Sequence, residues 1–145
     1  MRVRVSRVLH APPGLVWHEV SDISGHAQWQ VDVGSIAFTS DRVRGLGTTY
    51  DCDTKLGLVT MIIPMEVDHW DEGRSIGVRY EGTLRGGGRI TLKRKRGRRT
   101  KVTWSARVRF PWWLGGPIGA FGAAQVLRIV WKANLGALER QVSTS

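Results

Sequence analysis

The last long apolar stretch of the chain, Gly116 to Val142, constrains the fold more than any other segment. From Ala123 onward it contains no proline, and Leu127, Trp131, Leu135, Leu138 and Val142 fall at helical spacing, so it reads as one long helix. Charge interrupts it too often for it to span a membrane. Wound at about 100° per residue, Gln125, Arg128, Lys132 and Glu139 collect on one stripe beside Gly136, which is the expected wet face. Two apolar bands fill the remaining arc. One holds Val126, Ile129, Val130, Ala133 and Ala137; the other holds Ala124, Leu127, Trp131, Leu135, Leu138 and Val142, with Asn134 and Gln141 between them. A helix apolar over so wide an arc needs a concave surface that wraps around it.

The rest of the chain supplies such a surface. Arg2 to Leu9 opens as a strand with Val3 and Val5 on one face, and a bulge is expected where its alternation slips at Arg7 and Val8. His10-Ala11-Pro12-Pro13-Gly14 stops it, because consecutive prolines remove backbone donors and fix the chain as extended or as a first helical turn. Val16, Trp17 and Val20 then mark one short helix and Ile23 to Trp29 a second. From Ser35 to Phe110 the period becomes two. Thr48, Tyr50, Cys52, Thr54 and Leu56 share one face of a strand, and Val59, Met61, Ile63, Met65 and Val67 form a row of the next. Pro64 suggests an edge or bulge position there, and Asp71-Glu72-Gly73 is its turn. Ile76, Val78 and Tyr80 follow, then a glycine-rich segment, Gly82 to Gly88, read as a flexible turn. Ile90 and Leu92 come next, a hairpin at Gly97, and the clearest alternation of all in Val102, Trp104, Ala106, Val108 and Phe110. About seven strands joined by short turns make an antiparallel meander, and one long helix on its apolar face makes an α+β fold.

At 145 residues and 41% hydrophobic, the chain is expected to be one domain, 1–145, able to bury a core without metals or disulfides. The single cysteine, Cys52, excludes an internal disulfide framework and a cysteine-based zinc cluster, so a reducing, cytoplasmic setting is expected. Met1 to Val8 alternates arginine and valine where a signal peptide would need an unbroken apolar run.

Taken together, these residues resemble the START-related helix-grip superfamily (SRPBCC), and within it the polyketide cyclase/dehydratase-like branch. The resemblance rests on Val8 to Trp17 and on Ser24-Gly25-His26-Ala27-Gln28-Trp29. Val67-Asp68-His69-Trp70-Asp71, Gly87 to Leu92, Val102-Thr103-Trp104 and the Gly/Pro-containing start of the last helix complete it. It covers nearly the whole chain; the second helix departs from it, with His26-Ala27 where a proline often precedes the tryptophan pair. The resemblance implies a strongly curved sheet gripping the C-terminal helix, an internal cavity between them and an opening near the two short helices. It also implies that Ala123, Leu127, Val130, Asn134 and Leu138 line part of the hollow. With Trp29, Tyr50, Cys52, Met61, Ile63, Met65, Tyr80, Trp104 and Ala106, they are the candidate ligand-binding wall, suited to a hydrophobic or aromatic small molecule.

No catalytic residue is legible as such. Tyr50 and Tyr80 could donate to a polarised carbonyl, His26 and His69 could carry protons, and Asn134 could orient a ligand carbonyl. The first groups to test are therefore Tyr50, Tyr80, His26 and Asn134. Each has a plainer alternative: sheet aromatics, surface or supporting histidines, and a core amide bonded to backbone. Cys52 reads as a small apolar filler. No Ser-His-Asp order, metal-ligand cluster or phosphate-cradling loop is present in the sequence, and nothing in it implies a cofactor or a metal.

Two surface features complete the reading. The charge of +10 is concentrated in Lys93-Arg94-Lys95-Arg96-Gly97-Arg98-Arg99-Thr100-Lys101, a hairpin tip able to touch phosphates of an anionic membrane or of nucleic acid. The absence of interleaved aromatic residues weighs against nucleic acid, and a solvated tip is the plainer reading. Trp112, Trp113 and Leu114, in a loop rich in glycine and proline, suggest a cavity entrance or a membrane contact, with a buried plug as the alternative. The function expected is a small-molecule-binding protein, with polyketide-type cyclisation or dehydration as the activity if it is an enzyme. A non-catalytic lipid carrier that meets membranes through the Trp112-Trp113 loop and the basic hairpin is the alternative.

Overall fold

Short links between most of the consecutive strands force each back beside its predecessor. The computed structural model describes residues 2–56, 59–82, 84–109 and 116–143. In chain order they form β1 (Arg2–Leu9), α1 (Pro13–Ser21), a 3-10 turn (Ile23–Gly25), α2 (His26–Trp29), β2 (Val33–Phe38) and β3 (Thr49–Leu56). Then come β4 (Val59–Asp71), β5 (Ser75–Tyr80), β6 (Arg85–Lys95), β7 (Arg99–Arg109) and α3 (Gly116–Ser143). The strands make one seven-stranded antiparallel sheet in the order β1-β7-β6-β5-β4-β3-β2. The helices between β1 and β2 carry the chain from one edge to the other, and α3 lies along the concave face. The architecture is the α+β helix grip, with the sheet curved but not closed into a barrel. No helix among the described residues is long and apolar enough to cross a membrane.

One apolar band of α3 is gripped throughout and the other only in part. Ala124, Leu127, Trp131, Leu135, Leu138 and Val142 are all buried, each large side chain contributing about 1.5–3 kcal/mol. The second band, also expected inside, is split: Val130 and Ala137 are partly buried against the core, whereas Val126 at 42% and Ile129 at 70% exposure lie open, with Ala133 exposed as well. The reason is where β1 sits. The Arg7 guanidinium reaches Glu139 at 2.7 Å, and the His10 amide donates to the same carboxylate at 3.2 Å. That pulls the supposed wet stripe toward β1, half-burying Arg128 and Glu139 and burying Gly136.

The same ion pair removes the expected bulge. β1 pairs with β7 in unbroken register from Arg2 opposite Arg107 to Leu9 opposite Thr100. Arg7 takes an inward position opposite Val102, and its charge leaves at the sheet edge toward Glu139. Gly86 to Gly88 are likewise not a turn. They belong to β6, paired with β5 and β7, and Gly86 (φ 142) sits so near β7 that a Cβ would meet the Arg107 carbonyl oxygen. The β6–β7 hairpin turns at Gly97 (φ 76) and Arg98 (φ 57). Pro64 lies where β4 runs past the end of β5. Its carbonyl accepts from Glu81, and its missing donor is not needed. The bulge in β4 lies instead between Val67 and His69.

Candidate functional site

Alternation and register together build the inner wall of a cavity. Tyr50 of β3, Met65 of β4 and Tyr80 of β5 stand directly opposite one another across the sheet. Cys52 and Ile63 make the neighbouring pair, with Ile36 of β2 beyond Cys52. Gly88 of β6 is essential to this wall. A Cβ there would meet the Tyr80 hydroxyl oxygen, so glycine lets that hydroxyl rest over β6. The opposite wall comes from Val20, Ile23 and His26, from Gln30, Asp32 and Val33 after α2, and from Leu127 and Trp131 of α3. Trp131 stacks on Trp104 with centroids 4.8 Å apart and planes 10° from parallel, which fixes the helix against β7.

The cavity volume is about 110 Å³. That is far below the roughly 300–1,000 Å³ of sites for drug-sized ligands, and close to the ~150 Å³ of an apolar cavity that holds benzene. In this conformation the cavity accepts about one ring.

The polar groups around it are few, and burial sets their protonation. Asp32 is buried at 7% exposure. Its carboxyl is held above the ordinary value by burial, opposed by the hydrogen bond from Asn134. Burial also raises Tyr50 and Tyr80, so both phenols stay protonated and can only donate or accept as neutral hydroxyls. Neither hydroxyl has a hydrogen-bond partner among the described residues. Cys52 is raised by burial, against a hydrogen bond from Thr54, so its sulfur is a thiol and not a ready nucleophile. His26 is lowered by burial. Its Nε2–H donates to the Val20 carbonyl at 2.7 Å, which ties up that side of the ring.

Of the residues singled out in the sequence, the structure brings Tyr50, Cys52, Ile63, Met65, Tyr80, Trp104, Leu127 and His26 together around the cavity. Trp29, Met61, Ala106, Val130 and Asn134 lie off its wall, as do Ala123 and Leu138. Trp29, the last residue of α2, is buried edge-on to Trp104 at 6.1 Å. Asn134, fully buried, spends its amide on the chain: its Oδ1 accepts from the Val31 amide at 2.7 Å and its Nδ2 donates to Asp32 at 2.9 Å. It is the core amide of the plainer alternative. His69 is bonded to Ser75 away from the cavity. Trp112, Trp113 and Leu114 lie outside the described residues. Gln30, Asp32, Thr54 and Trp131 line the cavity without having been singled out for it. The available signal for Asp32 was an acid set between Val31 and Val33 just after a tryptophan. Among the described residues no group of three or more His, Cys, Asp or Glu side chains could hold a metal ion.

A family model described as polyketide cyclase / dehydrase and lipid transport matches residues 1–143. The chain belongs to that family. Solved structures agree on the fold at low identity. A protein from Thermus thermophilus is 18% identical, with 99% of this chain and 98% of that one covered at a TM-score of 0.86. A START superfamily protein from Mycobacterium smegmatis is 15% identical, with 99% and 97% covered at 0.79. The Zhui aromatase/cyclase from a Streptomyces species is 18% identical, with 99% and 93% covered at 0.76. No curated protein matches the sequence. This member of the polyketide cyclase/dehydrase family therefore shares a scaffold with those proteins, and its own cavity residues must carry the argument for what it does.

Proposed function

We propose that this protein binds a compact hydrophobic or aromatic small molecule in the cavity between the sheet and α3. One observation carries the reading: a ring-sized apolar cavity lined by two tyrosines, Tyr50 buried and Tyr80 partly buried, whose hydroxyls have no partner among the described residues. Both residues line the cavity, where their hydroxyls are available to donate to a ligand oxygen. A carbonyl is the natural match. Asp32 on the same cavity supplies a carboxyl whose proton is held above the ordinary range by burial.

On a bound β-hydroxy ketone these groups suffice for dehydration. The Asp32 carboxylate takes the proton α to the carbonyl, and the tyrosine hydroxyls hold the developing oxyanion. The β-hydroxyl then leaves as water, carrying the proton that Asp32 returns. In this reading Asn134 orients Asp32 rather than touching the ligand.

A membrane-meeting lipid carrier is the second reading, supported by Ile118 (86% exposed), Phe121 (68%) and Ile129 (70%) along the open side of α3. That face, not the basic hairpin, would be the contact. Arg109, after which residues 110–115 lead to α3, is at the opposite end of β7 from the hairpin, about 30–35 Å along the strand.

Native mass spectrometry of the purified protein, with denaturing extraction of whatever copurifies, tests the first reading. A stoichiometric aromatic or carbonyl-bearing passenger is expected. An empty protein that also ignores a panel of one- and two-ring ketones would defeat it. An acyl-lipid passenger lost on contact with vesicles would establish the carrier.

A further inference from the structure

The outer face of the sheet carries a feature that cargo binding does not use. Residues directly opposite on neighbouring antiparallel strands share a face. Across β6 and β7, Arg85 faces Arg109, Lys93 faces Lys101 and Lys95 faces Arg99, while across β1 and β7 Arg2 faces Arg107. Four directly opposed pairs are thus like-charged, an arrangement that works against the fold. Arg4 and Arg89 flank Ser105 from either side in the same face. None of these cations is in an ion pair among the described residues; the paired arginines are Arg7, Arg44 and Arg79, elsewhere on the chain.

Between the two cationic ends runs a row of hydroxyls, Ser6, Thr103 and Thr91. Where β6 has Gly87 and Gly88 the face dips into a hollow walled by Arg2, Arg4, Arg89 and Arg107, with Asp68 as the one acid at its rim.

From this array we infer that the outer face of β1, β7 and β6 binds the phosphate backbone of duplex nucleic acid without reading its sequence. The cations are mainly arginine, whose planar fork pairs with phosphate through two hydrogen bonds, and hydroxyls are regular donors to phosphate oxygens. β7 has eleven residues, about 36 Å of strand, which matches one duplex turn of about 34–36 Å. Among the described residues the face has no exposed aromatic side chain on which bases could stack, which disfavours single strands. Among the described residues it has no large apolar side chain except Val8 at its edge, which disfavours a membrane.

The test is fluorescence anisotropy of the full-length protein with a labelled 20-base-pair DNA duplex across a salt series. Micromolar binding at low salt is expected. Its log–log salt slope should be steeper than about −5, as neutralising six or more phosphates requires. The double variant Arg4→Glu/Arg107→Glu should weaken binding at least 30-fold, whereas Arg42→Glu/Arg140→Glu, with the same change in charge off this face, should stay within threefold. Arg107→Glu and Lys93→Glu each turn a like-charged pair into an opposite-charged one, so these variants should melt at or above the wild-type temperature, separating lost binding from lost fold. Absence of duplex binding at low salt would overturn the inference, as would equal loss in the two double variants. So would binding to phosphatidylserine vesicles that depends on Arg4 and Arg107 while duplex binding does not.

Discussion

The two faces of β1, β7 and β6 are made from alternate residues of the same strands and differ almost completely in chemistry. Inward stand Val3, Val5, Val102, Trp104, Ala106 and Val108, all buried. Outward stand Arg2, Arg4, Lys101, Arg107 and Arg109. The inner face can be explained by packing and by the cavity, because its side chains belong to the buried core and Trp104 and Val108 also line the cavity. The outer face cannot be explained by folding. Directly opposed like charges give up stability. The contrast teaches that the inner residues report how the molecule holds together and shapes its cavity, while the outer ones answer to something other than packing.

Four substitutions would break or sharpen that contrast. The largest effect is expected from Trp131→Ala, which removes the ring stacked on Trp104 and one wall of the cavity. A loss of about 3–5 kcal/mol in urea denaturation is expected, and a loss below 1 kcal/mol would mean that the grip does not depend on this contact. Asn134→Ala should cost about 3 kcal/mol, because it strands both the Val31 amide and the buried Asp32 carboxyl.

Asp32→Asn sharpens the same point through pH. Burial raises the Asp32 pKa in the fold above its ordinary 3.8, so the folded state holds that proton more tightly than the unfolded chain does. The stability this confers is fully present below pH 3.8 and is lost as pH rises through the folded-state value. Relative to wild type, Asp32→Asn should therefore gain stability as pH rises through that window and hold the gain above it. A difference that does not vary with pH would remove Asp32 from the account. The smallest effect belongs to the outer face: Lys93→Glu, opposite Lys101, should raise stability by about 0.2–1 kcal/mol, measurable as a small upward shift in melting temperature.

Sequence periodicity revealed much of the inner face. The spacing of Leu127, Trp131, Leu135, Leu138 and Val142 marked α3 as a helix with one of its two apolar bands, and the alternation of β7 marked Val102, Trp104, Ala106 and Val108 as one face. Periodicity could not say which of two apolar bands on α3 would be covered, because the Arg7–Glu139 pair that decides it joins residues at opposite ends of the chain. Asp32 was hidden for a related reason. It lies in an aperiodic segment, and its burial depends on Asn134, a hundred residues away. The cationic array was legible only as a run at one hairpin. Arg2, Arg4 and Arg107 join it through strand register, which no single strand displays.

The most direct measurement of the central claim is calorimetric titration with acetophenone, a single ring bearing one carbonyl, of wild type, Tyr80→Phe and Ile36→Phe. Saturable one-to-one binding by wild type is expected. Tyr80→Phe should weaken it about 2–10-fold, as loss of one neutral hydrogen bond requires, and Ile36→Phe, which fills the cavity, should abolish it. Binding unaffected by the added ring at position 36, or no binding by wild type to this or any one- or two-ring ketone, would contradict the cavity as the site of function.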